Sequence, residues 1–189
     1  MRLVELDEGQ IFLDGVDIKT VGLTTLRSNI AIVPQDCVIF SGTVQTNIDP
    51  FDKHSEDKLM DVLDRVGLLG SIKSIEDPVE LHGSNFSAGQ RQLLVIARAL
   101  LNDASLVIFD EATASIDAET DARVQKIFRT DFAQSTTLTI AHRLNTIMDS
   151  THILVMDDGK AAEFDTPSTL LSRDSIFKEL FDAFEKEHQ

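Results

Sequence analysis

The chain has 189 residues, 42% hydrophobic and 26% charged, which suits an ordinary globular domain with enough apolar material for a real core. Its formal net charge of −15 opposes approach to a nucleic-acid backbone or an anionic bilayer, and its single cysteine, Cys37, excludes an internal disulfide and suits a cytosolic location. No apolar run nears the roughly 18 residues that a membrane span needs, and no signal-peptide pattern opens the chain, so membrane attachment is expected to come through segments outside this sequence.

From the N-terminus, Gln10–Leu13 and Val16–Ile18 flank Asp14-Gly15, a two-residue hairpin signal that requires nothing beyond a surface hairpin. Ile30–Val33 is a short apolar strand that ends in Pro34-Gln35; taken alone, Gln35 reads as a solvated strand-end glutamine. From Ser41 to about Leu101 the pattern turns helical. Ser55 followed by Glu56 and Asp57 predicts a helix start, Leu59, Val62, Leu63 and Val66 mark one apolar face, and Gly67 predicts the stop. Core packing accounts for that face, and burial is as good an expectation for Phe40 and Phe51 as contact with a partner.

Asn85-Phe86-Ser87-Ala88-Gly89-Gln90-Arg91-Gln92 opens a long apolar-periodic helix through Leu93, Ile96, Ala97, Leu100 and Leu101. Ser87 with Gln90 three residues on fits a capping box, and the free N–H groups of such a helix start attract anions. Gly89 has no side chain to keep a phosphate away from the backbone. Leu106-Val107-Ile108-Phe109 then reads as a buried strand of a parallel sheet, ending in the two carboxylates Asp110 and Glu111. At the carboxyl edge of such a sheet, one acid can hold a divalent cation while the other orients or deprotonates a water.

After Asp117, Val124, Ile127, Phe128 and Phe132 predict an amphipathic helix from about Ala118 to Phe132. Thr136–Ala141 predicts a strand leading to His142, which by itself reads as a structural or solvated histidine. His54, His82, His152 and His188 have no comparable context and read as surface residues. His152–Met156 and Lys160–Glu163 bracket Asp158-Gly159, a second hairpin signal, and Thr166-Pro167 gives an N-cap with proline at the first helical position. A last helix lines up Ile176, Phe177, Leu180, Phe181 and Phe184 for packing on the domain's own flank.

Taken together, these stretches resemble the ABC ATPases. Asn85–Gln92 resembles their signature motif, Leu106–Glu111 their Walker B strand, Ala114–Asp117 the D-loop, Ile32–Gln35 the Q-loop and Thr139–Arg143 the switch-histidine loop. Phe40-Ser41-Gly42-Thr43 with Asn47-Ile48-Asp49-Pro50-Phe51, and the run Asp110–Asp117, are similar to the second nucleotide-binding domain of MRP-type, C-subfamily exporters. Cys37 stands where such domains often carry proline, and Leu81 where an acidic residue often lies, with Glu80 beside it.

The resemblance implies an α/β P-loop NTPase fold of ABC type: a parallel-sheet core, an antiparallel β edge and a helical subdomain. Within it, residues 1–35 hold the edge hairpin and Q-loop strand, and 36–101 the helical subdomain up to the signature helix. Residues 102–165 hold the core with Walker B, D-loop and H-loop, and 166–189 the terminal helices. It further implies ATP and Mg²⁺ as cofactors. Asp110 and Gln35 would lie at the metal, Glu111 and His142 would be catalytic, and Gln35, Ser87, Ala88, Gly89, Gln90 and Asp117 would contact nucleotide. Implied partners are transmembrane domains and a second nucleotide-binding domain, at the cytosolic face of a membrane, without nucleic acid and without direct membrane insertion by this segment.

No Gly-x-x-x-x-Gly-Lys-Ser/Thr loop occurs in the 189 residues. Arg2-Leu3-Val4-Glu5 resembles the end of the helix that follows that loop, so the sequence reads as an N-terminally truncated domain, itself expected to be inactive. Two other readings are weighed against an exporter domain. One is a soluble ABC-type ATPase acting on DNA or the ribosome, which the acidic charge disfavours. The other is an inert regulatory or interaction fragment.

Overall fold

The computed structural model describes residues 1–110, 117–140, 144 and 147–187. The chain forms two compact units, Met1–Ile140 and Ala141–Gln189.

In the first unit, β1 (Phe12–Leu13) and β2 (Val16–Asp17) form the expected antiparallel hairpin, β1 starting two residues later and β2 ending one residue earlier than the sequence pattern. Its turn works because Asp14 and Gly15 both take positive φ, 50° and 77°, as a two-residue primed turn demands. Helix α1 (Leu23–Ser28) leads into β3 (Ile30–Val33), followed by β4 (Gly42–Thr43), α2 (Val44–Ile48), α3 (Glu56–Arg65) and β5 (Pro78–Val79). After a single 3₁₀ turn at Leu81–Gly83 come α4 (Ala88–Leu101), β6 (Leu106–Asp110), α5 (Ala118–Thr130) and β7 (Thr136–Ile140). The 41–101 stretch is thus not wholly helical. Gly42–Thr43 pairs antiparallel with Pro78–Val79, a ladder too short to leave an alternating pattern.

The sheet that matters is parallel, in the order β3-β6-β7. Its middle strand is covered on both faces. Val107 and Phe109 enter the main core, while Leu106 and Ile108 pack against a smaller cluster of Ile18, Leu26 and Ile30. Phe109 also meets Phe128 and Phe132 at ring-centroid distances of 3.8 and 5.4 Å, which anchors α5 to the sheet. Helix α5 ends at Thr130, but Phe132 stays buried as the chain turns away. Strand β7 lies at the sheet's edge with all five residues exposed.

Helix α3 is held by its buried face rather than by a side-chain cap. Leu59, Val62 and Leu63 of α3 are buried, as the periodicity requires. Ser55 occupies its N-cap position without a side-chain hydrogen bond. Gly67, at φ 78°, ends it in a Schellman turn: Gly67 N donates to Asp64 O at 2.7 Å and Leu68 N to Leu63 O at 2.8 Å. Helix α4 buries Leu93 through Ala97 without a break, so it runs through the core rather than along its surface.

In the second unit, β8 (Ile153–Asp157) and β9 (Lys160–Asp165) form the other expected hairpin around Asp158 and Gly159, both at positive φ. Thr166 caps α6 (Pro167–Ser172) through the N–H of Thr169, with proline at its first position as the sequence indicates. Helix α7 (Ile176–Glu187) is started by Glu163, whose carboxylate accepts the N–H groups of Ile176 and Phe177 at 2.8 and 3.1 Å. Ile153, Val155, Leu170 and Phe177 make this unit's core, while Leu180 stays exposed. Among the described residues, no helix is long and apolar enough to cross a membrane.

Candidate functional site

Strand register assembles the first half of the site. Val33 pairs with Phe109, so Gln35 and Asp110 leave adjacent strands at the same carboxyl edge. Asp110 in turn pairs with Ile140, the last residue of β7. Asp110 is half-buried at the strand tip and Gln35 is exposed, and neither side chain is hydrogen-bonded within the described residues. A carboxylate and an amide at the carboxyl ends of adjacent strands suit a hard divalent cation such as Mg²⁺, which takes one or two carboxylates and fills its remaining positions with water and substrate phosphate. Glu111 and His142 lie outside the described residues, as do residues 114–116 of the predicted D-loop.

The start of α4 is the second half. Ser87 Oγ accepts the N–H of Gln90 at 3.1 Å, and Gln90 Oε1 accepts the N–H of Ser87 at 2.8 Å, which is the reciprocal capping box the sequence predicts. Gln90 Nε2 also donates to Ser71 Oγ at 2.8 Å, holding the cap against the preceding loop. Ser87 and Ala88 are exposed and Gly89 is buried. The positive end of this 14-residue helix therefore begins at two exposed residues, Ser87 and Ala88.

Asp117 joins this second group. It caps α5, accepting the N–H of Thr120 at 2.9 Å with one carboxylate oxygen and the Thr120 hydroxyl at 2.8 Å with the other. The Thr120 backbone bond, then its hydroxyl, hold the Asp117 carboxyl below the ordinary carboxylate range. Thr120 was not singled out from sequence. The available signal was an aspartate followed three residues later by threonine at a helix start. No hydrogen bond among the described residues joins the Gln35–Asp110 group to the Ser87–Asp117 group.

A third feature explains the Asn47–Phe51 motif. Asn47 is buried and brackets the backbone of Phe40, accepting from its N–H at 2.9 Å and donating to its carbonyl at 2.8 Å. Asp49, also buried, accepts the N–H groups of Lys53 and His54, each at 2.7 Å. The two polar residues thus pin two loops that display Phe40 and Phe51, which are 59% and 77% exposed. This corrects the expectation of burial for either ring. Arg98 ties the loops to α4 by donating to the carbonyls of Asn47 and Val38, and its guanidinium lies 6.0 Å from the Phe40 ring. An open pocket of about 250 Å³ lies between β3, Phe51 and Arg98. The sequence did not single out Arg98, which reads as an ordinary last-turn helix cation.

At the two departures from the family pattern, Cys37 is half-buried and hydrogen-bonds the buried Gln92. Leu81 is exposed, and Glu80 accepts the Ser84 hydroxyl at 2.7 Å.

Residues 1–114 match a family model described as ABC transporter. The chain is 52% identical over 174 residues to "ABC transporter C family member 3" of Dictyostelium discoideum, covering 90% of this chain and 12% of that protein. It is 46% identical over 184 residues to "ABC transporter C family member 5" of Arabidopsis thaliana, covering 95% and 12%. Against "Bile pigment transporter 1" of Saccharomyces cerevisiae it is 45% identical over 201 residues, covering 95% and 13%. The chain therefore spans about an eighth of these relatives' length. Among solved structures, a bacterial Atm1-family ABC exporter with ATP bound superposes with a TM-score of 0.85 at 35% identity, covering 93% of this chain and 32% of the other.

Proposed function

Because the chain belongs to the ABC transporter family, we propose that it forms the larger part of the second nucleotide-binding domain of an MRP-type exporter, in which ATP hydrolysis drives export. The observation that carries this reading is the register that brings Gln35 and Asp110 to one sheet edge, with a capped helix start in the same unit.

In this reading Asp110 and Gln35 would hold Mg²⁺, and Gln35 would relay the state of the site toward the transmembrane partner. When bound, the ion neutralises charge on the β- and γ-phosphates. Glu111 deprotonates or orients the attacking water, and His142 steadies the γ-phosphate. Ser87, Ala88, Gly89 and Gln90 serve the opposite domain, presenting their helix start to ATP held there, while Asp117 reaches across the seam. Phosphoryl transfer depends mostly on positioning and charge stabilisation, so each of these residues acts first by orienting. The phosphate-binding cation and backbone cradle of a Gly-x-x-x-x-Gly-Lys-Ser/Thr loop do not occur in these 189 residues, so none of these roles falls to such a loop.

The exposed Phe40 and Phe51, held by buried Asn47 and Asp49, support docking of transmembrane domains on this side of the helical subdomain. The domain would then sit at the cytosolic face of the membrane without entering it.

The reading is tested by Mg-ATP hydrolysis of the full-length protein with Asp110→Asn. A fall in turnover of at least about 10²-fold, as expected for loss of a charge-positioning group, supports it. Turnover close to wild type rejects it.

A further inference from the structure

Thr120 sits where two parts of the proposed machinery meet within one chain. On one side it carries Asp117, with both carboxylate oxygens engaged. On the other it abuts the start of α4. A Cβ placed on Gly89 would lie 2.9 Å from Thr120 Oγ1, 3.0 Å from Cγ2 and 3.3 Å from Cβ. A contact that close leaves no room for a methyl group unless the Thr120 side chain or one of the helix starts shifts. Gly89 lies within the capping box of Ser87 and Gln90, so a shift of its backbone would carry those residues with it.

We infer that Thr120 is a positioning residue: its hydroxyl fixes the Asp117 carboxylate while its side chain abuts Gly89, so that the signature helix start and Asp117 move as one block. This rests on the reading of the chain as a nucleotide-binding domain, in which both elements face the seam between two such domains. It also gives Gly89 a second role. The missing side chain lets Thr120, in the first turn of α5, abut the start of α4.

The test is a double-mutant cycle in the full-length transporter, with turnover expressed per ATP-binding site counted by nucleotide titration. Gly89→Ala is expected to lower kcat about tenfold when Thr120 is present and no more than about twofold in a Thr120→Ala background. An equal loss in both backgrounds overturns the inference. Thr120→Ser keeps the hydroxyl and is expected to keep kcat within about twofold of wild type, whereas Thr120→Val is expected to lower kcat severalfold with KM for ATP unchanged. Equal effects of the two Thr120 substitutions, or a change in KM alone, also overturn it. Wild-type protein without ATP turnover would instead remove the underlying reading, so the two failures are distinguishable.

Discussion

Val33 and Phe109 stand in register on adjacent parallel strands, and that pairing sets where Gln35 and Asp110 emerge. Phe109 is fully buried against Phe128 and Phe132, so the residue next to the proposed metal ligand is also one of the main anchors of the core. Phe109→Ala is expected to cost about 3–5 kcal/mol of stability, the usual range for a buried phenylalanine. Thermal or denaturant unfolding of the domain in the full-length protein checks this. A cost below about 1 kcal/mol would mean that the strand is not held by this packing.

The isolated 189-residue chain is expected to bind Mg-ATP more weakly than micromolar. In the proposed reading Asp110 and Glu111 would face the triphosphate without the lysine of a phosphate loop, and their charge would repel it. Isothermal calorimetry on the chain alone decides the point. Micromolar affinity would show that its own residues suffice to cradle the phosphates.

Phe51 makes little contact with its own domain, so Phe51→Asp is expected to change stability by less than about 0.5 kcal/mol. In the transporter the same change should separate ATP hydrolysis from transport, with transport falling severalfold. Transport unchanged would remove Phe51 from the docking surface.

Cys37, in the loop after β3, is half-buried against Gln92 of α4, and burial, the largest influence, pushes its thiol above the ordinary value of 9.0. Arg91 and Arg98 pull the other way, and Asp36 adds to the rise. A raised pKa lowers the thiolate fraction at neutral pH. Maleimide labelling of the folded protein at pH 7 should therefore be slower than for a free cysteine, and it should accelerate on raising the pH past 9 or on unfolding. Labelling at the free-cysteine rate at pH 7 would contradict that environment.

Much of this was legible because local chemistry and tertiary structure agree. The Asp14-Gly15 and Asp158-Gly159 turns, the Ser87–Gln90 cap and the Thr166-Pro167 start each depend on residues within three or four positions, and each forms as read. Strand β3 was legible too, since a short apolar run bounded by proline leaves few alternatives. The sequence misled where an outcome depends on distant partners. Phe40 and Phe51 look like core residues by type, yet Asn47 and Asp49 hold their loops outward. Arg98 and Thr120 act through contacts with Val38 and Gly89, which sequence spacing does not reveal. Helix α3 starts after Ser55 as read, although the serine makes no side-chain cap bond.

The most direct test of the central claim is steady-state ATP hydrolysis by the full-length transporter carrying Glu111→Gln, with bound nucleotide measured in parallel. Losing the base or water-orienting group should reduce turnover by about 10²–10⁴-fold while ATP stays trapped at the site. Hydrolysis within a few-fold of wild type, or loss of ATP binding together with turnover, would contradict the account.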